Sequence, residues 1–260
     1  MGILTTFNEI TNLSGQPCCK SIGISIAIVY TAHISKNHNW NAMSTKDKII
    51  QTSITLFNQH GERAITTNHI AAEMGISPGN LYYHFKNKED ILRHIYGLYR
   101  EHLVTHFSPM DKNENVLSQL AGYLDALVEL MWKFNFLYSN LADILSRDKV
   151  LKAQYIEQQA QLVEQIIGVI DGLQHANVID IDEHDKEELA HMVKLTVSFW
   201  APYVKAHQID DQLEKQDIYG GIIKVIMLFK PYARGEGLVQ LQQLQQEYRA
   251  RFESTQQQVA

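Results

Sequence analysis

Between Ser77 and His84 the chain carries polar and aromatic side chains whose types suit contacts with a nucleic acid. Hydroxyl, imidazole and phenol groups donate hydrogen bonds to phosphate oxygens, and an asparagine amide pairs with the edge of an adenine through two hydrogen bonds. The candidates are Ser77, Gly79, Asn80, Tyr82, Tyr83 and His84. Leu81 and Phe85, four residues apart, would face inward from the same helix. The segment therefore predicts a short helix that presents one face to phosphates and base edges.

Two helices and a tight turn are expected to hold this face in position. Thr67 is placed to cap a first helix, and Gly75 ends it because glycine accepts the left-handed backbone of the turn. Ser77 and Pro78 begin the next helix as a cap and a first helical residue. This is the pattern of a helix-turn-helix whose second helix enters a DNA major groove. The alternative is a buried helical hairpin whose tyrosines belong to a core.

The pattern closely resembles the DNA-binding domain of the TetR family of transcriptional regulators. The resemblance begins near Lys46, continues through KIIQTSITLFNQHG and ITTNHIAAEMGISPGNLYYHFKNK, and ends at EDILRHIY. It implies an N-terminal three-helix helix-turn-helix domain, joined by a linking helix to a larger helical domain that binds a ligand and dimerises. The expected fold class is all-α, because no segment alternates with the period of a strand.

The resemblance also gives individual residues expected roles on DNA. The positions that commonly contact phosphates correspond to Thr67, Tyr83 and His84. Tyr82 corresponds to a position that contacts a base or the backbone, and Lys88 to one where an amine and a helix N-terminus meet the same phosphate. Asn80 is the candidate for choosing an adenine, and its alternative role is a second helix cap.

A single recognition helix buries little surface, so tight binding requires two of them. We expect a homodimer on a palindromic site in double-stranded DNA, with its recognition helices about 34 to 36 Å apart. By resemblance, helices predicted at 183–207 and 213–229 would form a four-helix bundle with the partner. Gly220 and Gly221 would allow the helices to approach closely, and Pro202 should kink the first of them.

Charge is distributed unevenly along the 260 residues, whose formal net charge is −6. Residues 43–95 hold six Lys/Arg against five Asp/Glu, whereas residues 96–260 hold fifteen against twenty-three. A DNA-binding domain with so little net charge must depend on specific contacts from individual residues and on dimerisation more than on a broad basic face.

Three segments are predicted along the chain. Residues 1–42 lack a clear helical face and are expected to be a poorly ordered extension or the product of an upstream start codon. Residues 43–95 form the helix-turn-helix domain, and residues 96–260 the effector-binding and dimerisation domain. The adjacent Cys18 and Cys19 suit neither a disulfide framework nor a metal site. With no apolar run long enough to cross a bilayer, we expect a cytoplasmic protein without a membrane partner.

Bulky side chains on the later helices suggest a ligand chamber behind the linking helix. The candidate lining residues are Tyr99, His102, His106, Met131, Trp132, Phe136, Phe199, Trp200 and Tyr203. The alternative is an ordinary aromatic core. The segment FLYSNLADILSRD is similar to a subgroup of regulators of polyhydroxyalkanoate and fatty-acid metabolism, which implies a small hydrophobic or acyl-type effector. Few basic residues lie near the expected chamber, which favours an effector of low charge.

Sequence motifs of enzymes are absent. The chain contains no phosphate-binding glycine loop, nucleophile elbow, CxxC pair or HExxH motif, so we predict no catalytic residue, no metal and no cofactor. The favoured function is a ligand-responsive repressor that a hydrophobic molecule releases from its operator. The alternatives are an activator of the same fold, or a ligand-binding or interaction protein in which the helix-turn-helix is only structural.

Overall fold

The computed structural model describes residues 42–107, 110, 114–209 and 213–257. Regular secondary structure in these ranges consists of α-helices and a short 3-10 segment at Lys230–Tyr232, which confirms the all-α prediction. The predicted extension lies outside the described residues except for Ala42. Contacts divide the chain into two units after Lys48, and the first unit is described only by its residues 42–48.

Ten α-helices form the described part of the chain and are numbered in sequence order. The three N-terminal helices are α1 (Thr45–His60), α2 (Thr67–Glu73) and α3 (Pro78–His84). The linking helix is α4 (Lys88–His106), as predicted. The remaining helices are α5 (Val116–Lys133), α6 (Asn135–Arg147), α7 (Lys149–His175), α8 (Glu183–Lys205), α9 (Lys215–Phe229) and α10 (Gly235–Gln257). Among the described residues, none of these helices combines the length and apolar character needed to traverse a bilayer.

Helix α7 is longer than the sequence predicts. Helical spacing predicts a helix over 149–171, and in the structure this helix continues to His175. Leu173 is fully buried, and the side chain of Met110 occupies the space that a Cβ on Gly172 would need. Packing therefore stabilises the extra turn despite the low helix propensity of glycine.

Helix α9 lies at the centre of the larger helical region. It packs against α5, α8 and α10, and most of its apolar side chains are buried. Helix α10 covers α9 and is joined to α5 by the hydroxyl of Tyr248, which donates to the carboxylate of Asp125 at 2.7 Å. Helix α8 carries apolar side chains that are about half exposed, among them Phe199 and Tyr203.

Candidate nucleic-acid interface and apolar cavity

Helix α2 is capped by Thr66, one residue before the predicted cap Thr67. The Thr66 hydroxyl accepts a hydrogen bond from the backbone N–H of His69 at 3.3 Å, and the His69 ring accepts one from the backbone N–H of Thr66. The prediction was wrong because either of two successive threonines satisfies the capping pattern by residue type. Thr67 is the first helical residue, and its hydroxyl lies 3.0 Å from the phenol oxygen of Tyr82 on α3. This contact joins the start of α2 to the outer side of α3.

The turn and the start of α3 follow the prediction. Gly75 has a φ of 65°, which an L side chain rarely adopts. Ser77 caps α3 by accepting a hydrogen bond from the backbone N–H of Asn80 at 3.2 Å. Leu81 and Phe85 are buried and hold the inner side of the helix against the core.

The outer side of α3 is open to solvent. Tyr83 is 86% exposed and Tyr82 50% exposed, which contradicts the alternative in which these tyrosines form a core. Among the described residues, the amide of Asn80 has no hydrogen-bonding partner and does not cap a helix. The other exposed or partly exposed candidates are Ser77, Gly79 and His84. Together these side chains form one continuous polar and aromatic face, which we call the α3 face.

Lys88 points away from the position expected of a phosphate ligand. Its ammonium group donates to the carbonyl oxygens of Glu62 and Ile65 at 2.9 and 3.0 Å and lies 2.7 Å from the carboxylate of Glu62. The expectation of an outward-facing amine is therefore corrected. The N-terminus of α4 remains near this point, and Asn87 caps it by accepting a hydrogen bond from the backbone N–H of Asp90.

Glu62 is the centre of a charged network that sequence analysis missed. Its buried carboxylate binds Lys88 and, at 2.5 Å, Arg147 at the end of α6. Arg147 also pairs with Asp143, and the hydrogen bond from Arg63 lowers the pKa of Asp143 to about 2. The network joins the loop after α1 to the last turn of α6. No sequence signal predicts it, because a Gly-Glu-Arg triplet in a turn is typical of solvated charges.

The beginning of α6 is also attached to the helix-turn-helix. The amide of Asn58 on α1 donates to the carbonyl of Lys133 at 2.9 Å and accepts from the backbone N–H of Phe136 at 3.0 Å. The rings of Phe57 and Phe136 pack edge to face, with centroids 5.2 Å apart. Both ends of α6 are therefore fixed to the α1 region.

An apolar cavity of about 110 Å³ lies among α4, α5, α6, α7, α8 and α9. The linking helix contributes Tyr96, Tyr99 and Leu103 to its wall. Helix α6 contributes Leu137, Tyr138 and Leu141. The hydroxyl oxygens of Tyr99 and Tyr138 lie 3.1 Å apart, and burial raises the pKa of both phenols. These phenols stay neutral at physiological pH and link α4 to α6 beside the cavity.

Of the nine predicted lining residues, the structure places Tyr99 on the cavity wall and the others elsewhere. His102 and His106 stack with ring centroids 4.0 Å apart, and burial together with the neighbouring imidazole lowers the pKa of His102. Met131 is buried, and Trp132 is half-buried. Phe136 packs on Phe57, as described above. The remaining three, Phe199, Trp200 and Tyr203, lie on α8 outside the cavity wall.

Helix α8 has two apolar sides, and the sequence prediction selected the one that faces away from the cavity. Val193 and Val197 line the cavity, whereas Phe199 and Tyr203 are more than half exposed. Trp200 packs on α9, where its indole N–H donates to the carbonyl of Asp217 at 2.6 Å. A Cβ on Gly221 would lie 2.6 Å from the Trp200 ring, so this glycine accommodates a tryptophan of the same chain.

The described residues contain no cluster of three or more histidine, cysteine, aspartate or glutamate side chains suited to a metal ion. The stacked pair of His102 and His106 has no third ligand in that part of the chain.

A capped helix-turn-helix with an exposed recognition face, followed by a helical domain with an apolar cavity, defines a DNA-binding transcriptional regulator. Comparison with protein families agrees with this class. Residues 49–95 match the bacterial regulatory proteins of the tetR family, and residues 98–241 match the family described as TetR, bacterial transcriptional repressor. The second match covers more than half of the chain. The chain belongs to the TetR family, whose members are regulators and not enzymes.

Individual relatives extend the comparison over both domains. A TetR-family transcriptional regulator from Marinobacter aquaeolei VT8 superposes with a TM-score of 0.69 at 32% identity, covering 79% of this chain and 99% of that one. The negative transcriptional regulator IcaR of the icaADBC biofilm operon from Staphylococcus aureus is 28% identical over 169 residues, 62% of this chain and 83% of IcaR. The repressor KstR2 from Mycolicibacterium smegmatis is 38% identical over 77 residues, 26% of this chain.

The match to KstR2 spans only 38% of the length of that protein, so it concerns one part of the molecule. The resemblance to regulators of polyhydroxyalkanoate and fatty-acid metabolism finds no support among these relatives. What the comparisons establish is a DNA-binding transcriptional regulator of the TetR family.

Proposed function

We propose that this protein is a repressor that leaves a palindromic operator when a hydrophobic small molecule occupies the apolar cavity. One observation carries the proposal: α4 and α6 form walls of the cavity and also contact the helix-turn-helix. A ligand shifts an equilibrium only if it binds one state more tightly than the other. Because α4 and α6 connect the cavity to the helix-turn-helix, the conformation that closes around a ligand would place the α3 face differently from the conformation that binds DNA. The ligand would therefore bind the first conformation more tightly than the second.

Helix α6 provides the first connection between the cavity and DNA. Its middle supplies Leu137, Tyr138 and Leu141 to the cavity, while Asn58 holds its first turn and Glu62 holds its last. A helix in a packed core moves as a unit, since close packing resists gradual deformation. A ligand that displaces the middle of α6 therefore displaces both attachments to the α1 region together.

Helix α4 provides the second connection. Tyr99 and Leu103 line the cavity, and Lys88, at the other end of the same helix, is bonded to the loop after α1. A tilt of α4 about its packed middle would move its first turn relative to the partner protomer. The spacing of the two recognition helices would change, and with it the fit to successive major grooves.

On DNA, the α3 face would divide into residues that choose bases and residues that position the helix. Asn80 and Tyr82 are proposed to contact base edges, and the hydroxyl of Thr67 supports this by holding the phenol of Tyr82. The residues proposed to contact the phosphate backbone are Thr67, Ser77, Tyr83, His84 and, through its backbone N–H, Lys88. Gly79 would let the helix backbone approach the groove.

The second recognition helix would come from a second copy of the chain that docks on α8. Four apolar side chains repeat along one face of this helix at spacings of three or four residues, and each is about half exposed: Met192, Leu195, Phe199 and Tyr203. We call this row the α8 stripe. An exposed apolar surface of this kind is typical of a protein interface, because burying it against a partner removes apolar surface from water and stabilises the complex. A homodimer whose interface buries the α8 stripe would present two α3 faces to one operator.

The names of two relatives support repression over activation. IcaR is named a negative transcriptional regulator and KstR2 a repressor. A promoter fusion measured with and without the protein would determine the sign, and lower expression in its presence is expected.

The first test of the proposal is selection of bound DNA from a random pool by the full-length protein. We expect one enriched palindrome whose half-sites are about 34 to 36 Å apart. Its affinity should fall steeply with salt, because phosphate contacts release counterions. Failure to enrich any site would overturn the proposal.

The second test concerns the cavity, for which the chain offers a matched pair of variants. Leu103 on the cavity wall is buried, whereas the adjacent Val104 is 62% exposed. Leu103→Trp should fill the cavity and abolish both binding of the neutral apolar dye N-phenyl-1-naphthylamine and any further release of the operator by a cavity ligand. Val104→Trp should leave both properties unchanged. Dye binding that survives in Leu103→Trp would place the ligand site elsewhere.

A further inference from the structure

The wall of the apolar cavity carries one charged side chain among the described residues. This is Lys194 on α8; the other residues that line the cavity are apolar, aromatic or neutral polar, and none of them is a carboxylate. The cavity is therefore apolar over most of its surface and positive at one place.

Lys194 has no counter-charge within the described part of the protein. No hydrogen bond or ion pair involves its ammonium group, and burial alone lowers its pKa. Lys186, two turns earlier on the same helix, differs in this respect because Asp171 and Glu183 bind it at 2.6 and 2.7 Å. A half-buried cation without an anion is energetically unfavourable, so its position on the wall favours an anionic group inside the cavity.

A neutral polar side chain accompanies Lys194. Helices α7 and α8 are consecutive, packed together and joined by a short connection, so they run antiparallel. The phenol of Tyr155 on α7 hydrogen-bonds Ser198 on α8. One turn later on α7 and one turn earlier on α8, the same register brings Gln159 opposite Lys194, and both residues line the cavity.

The carboxamide of Gln159 is incompletely satisfied. Its oxygen is buried and has no hydrogen-bonding partner. Because rotation exchanges the two ends of a carboxamide, Gln159 can present either its N–H donors or its oxygen to a ligand. The site beside Lys194 therefore combines one cation with an adaptable hydrogen-bonding group.

A carboxylate fits this combination better than a phosphate. One carboxylate oxygen can accept a hydrogen bond from the ammonium group and the other from a carboxamide N–H. The single negative charge of the carboxylate then balances the single positive charge of Lys194. A phosphate with up to two negative charges would leave charge unpaired, since the described residues that line the cavity include no arginine and no second lysine.

We infer that the effector is an amphiphile with an apolar body and a single carboxylate, and that Lys194 and Gln159 bind the carboxylate where α7 meets α8. The apolar body would lie against the leucine, valine and tyrosine side chains of the cavity. This inference rests on the proposed function, in which the cavity is the effector site.

Displacement of N-phenyl-1-naphthylamine from the full-length protein tests the inference. The competitors are straight-chain carboxylates of six to twelve carbons, each compared with the alcohol of the same length. For the wild-type protein we expect the best carboxylate to displace the dye at a concentration about tenfold lower than its alcohol, and to release DNA. Lys194→Met should reverse that order, because burying a carboxylate without a cation is unfavourable. Lys194→Arg should retain it.

Two further variants keep the test decisive if Lys194→Met folds poorly. Gln159→Leu should weaken binding of the carboxylate severalfold and weaken binding of the alcohol less. Lys152→Met removes an exposed lysine from α7 and should change neither ligand. Equal or tighter binding of the alcohol by the wild-type protein would overturn the inference while the proposed effector site stands. If no competitor and no dye bound at all, the proposed function itself would fail.

Discussion

Replacing Glu62 with glutamine should destabilise the protein and weaken the connection between the cavity and DNA. The Glu62 side chain is buried, and its loss of charge leaves Lys88 and Arg147 without their shared anion. Removing one partner of a buried ion pair costs about 3 to 5 kcal/mol. The side chains of Lys88 and Arg147 are 18% and 33% exposed, so both cations regain some hydration. We therefore expect a loss of about 2 to 3 kcal/mol.

Urea unfolding and thermal unfolding measure this loss directly. For domains of 150 to 250 residues, 1 kcal/mol shifts Tm by about 2 to 4 °C, so Tm should fall by roughly 4 to 12 °C. Glu157→Gln removes an exposed carboxylate from α7 and serves as the control, with an expected change within about 0.5 kcal/mol. In operator-binding assays, Glu62→Gln should release DNA less completely than the control variant at a saturating concentration of the same ligand.

A double-mutant cycle identifies the partner that matters. Arg147→Met alone leaves Glu62 with Lys88 only, and the combination with Glu62→Gln removes both charges of one pair. Residues in one ion-pair network show a coupling energy of about 0.5 to 3 kcal/mol. Additive effects of the two substitutions, or a Glu62→Gln protein as stable as the Glu157→Gln control, would refute the role assigned to the network.

Two further predictions concern the α3 face and the α8 stripe. Asn80→Ala should relax the choice at one base position of the selected operator, at a cost of roughly 1 to 3 kcal/mol. Lys86 is an exposed cation two residues after α3, so Lys86→Ala should weaken all DNA sequences alike. Binding assays on single-base variants of the operator distinguish the two, and an unchanged base preference in Asn80→Ala would remove its proposed role. Leu195→Glu should convert a dimer to a monomer in analytical ultracentrifugation and reduce operator affinity, whereas the same change at Ile156, exposed on α7, should do neither. A dimeric Leu195→Glu protein would place the interface elsewhere.

Local signals in the sequence predicted the helix-turn-helix almost completely. Gly75, Ser77 and Pro78 each have a conformational preference that acts within a few residues, and the structure contains the turn, the cap and the first helical residue where they were expected. The cap of α2 was misplaced by one residue, because Thr66 and Thr67 are equivalent by type and only the backbone conformation distinguishes them.

Features that depend on contacts between distant segments could not be predicted in this way. Periodicity shows that α8 is apolar on two sides, but it does not reveal that Val193 faces the cavity while Phe199 faces outward. The orientation of Lys88 depends on Glu62, twenty-six residues earlier in the chain. The burial of Glu62 depends in turn on Arg147, which belongs to another helix.

The fixed ends of α6 also constrain how relatives of this protein can acquire new ligands. Leu137, Tyr138 and Leu141 shape the cavity on a helix that is bonded to the α1 region at both ends. Under the proposed function, a substitution that adapts these residues to another molecule should also change how strongly the empty protein holds its operator. Val193 and Val197 line the same cavity from α8, which is neither of the two helices proposed to connect the cavity to DNA. Substitutions at Val193 and Val197 should therefore change ligand preference with less effect on basal repression. Among relatives, we expect the cavity residues of α8 to vary more with effector specificity than those of α6.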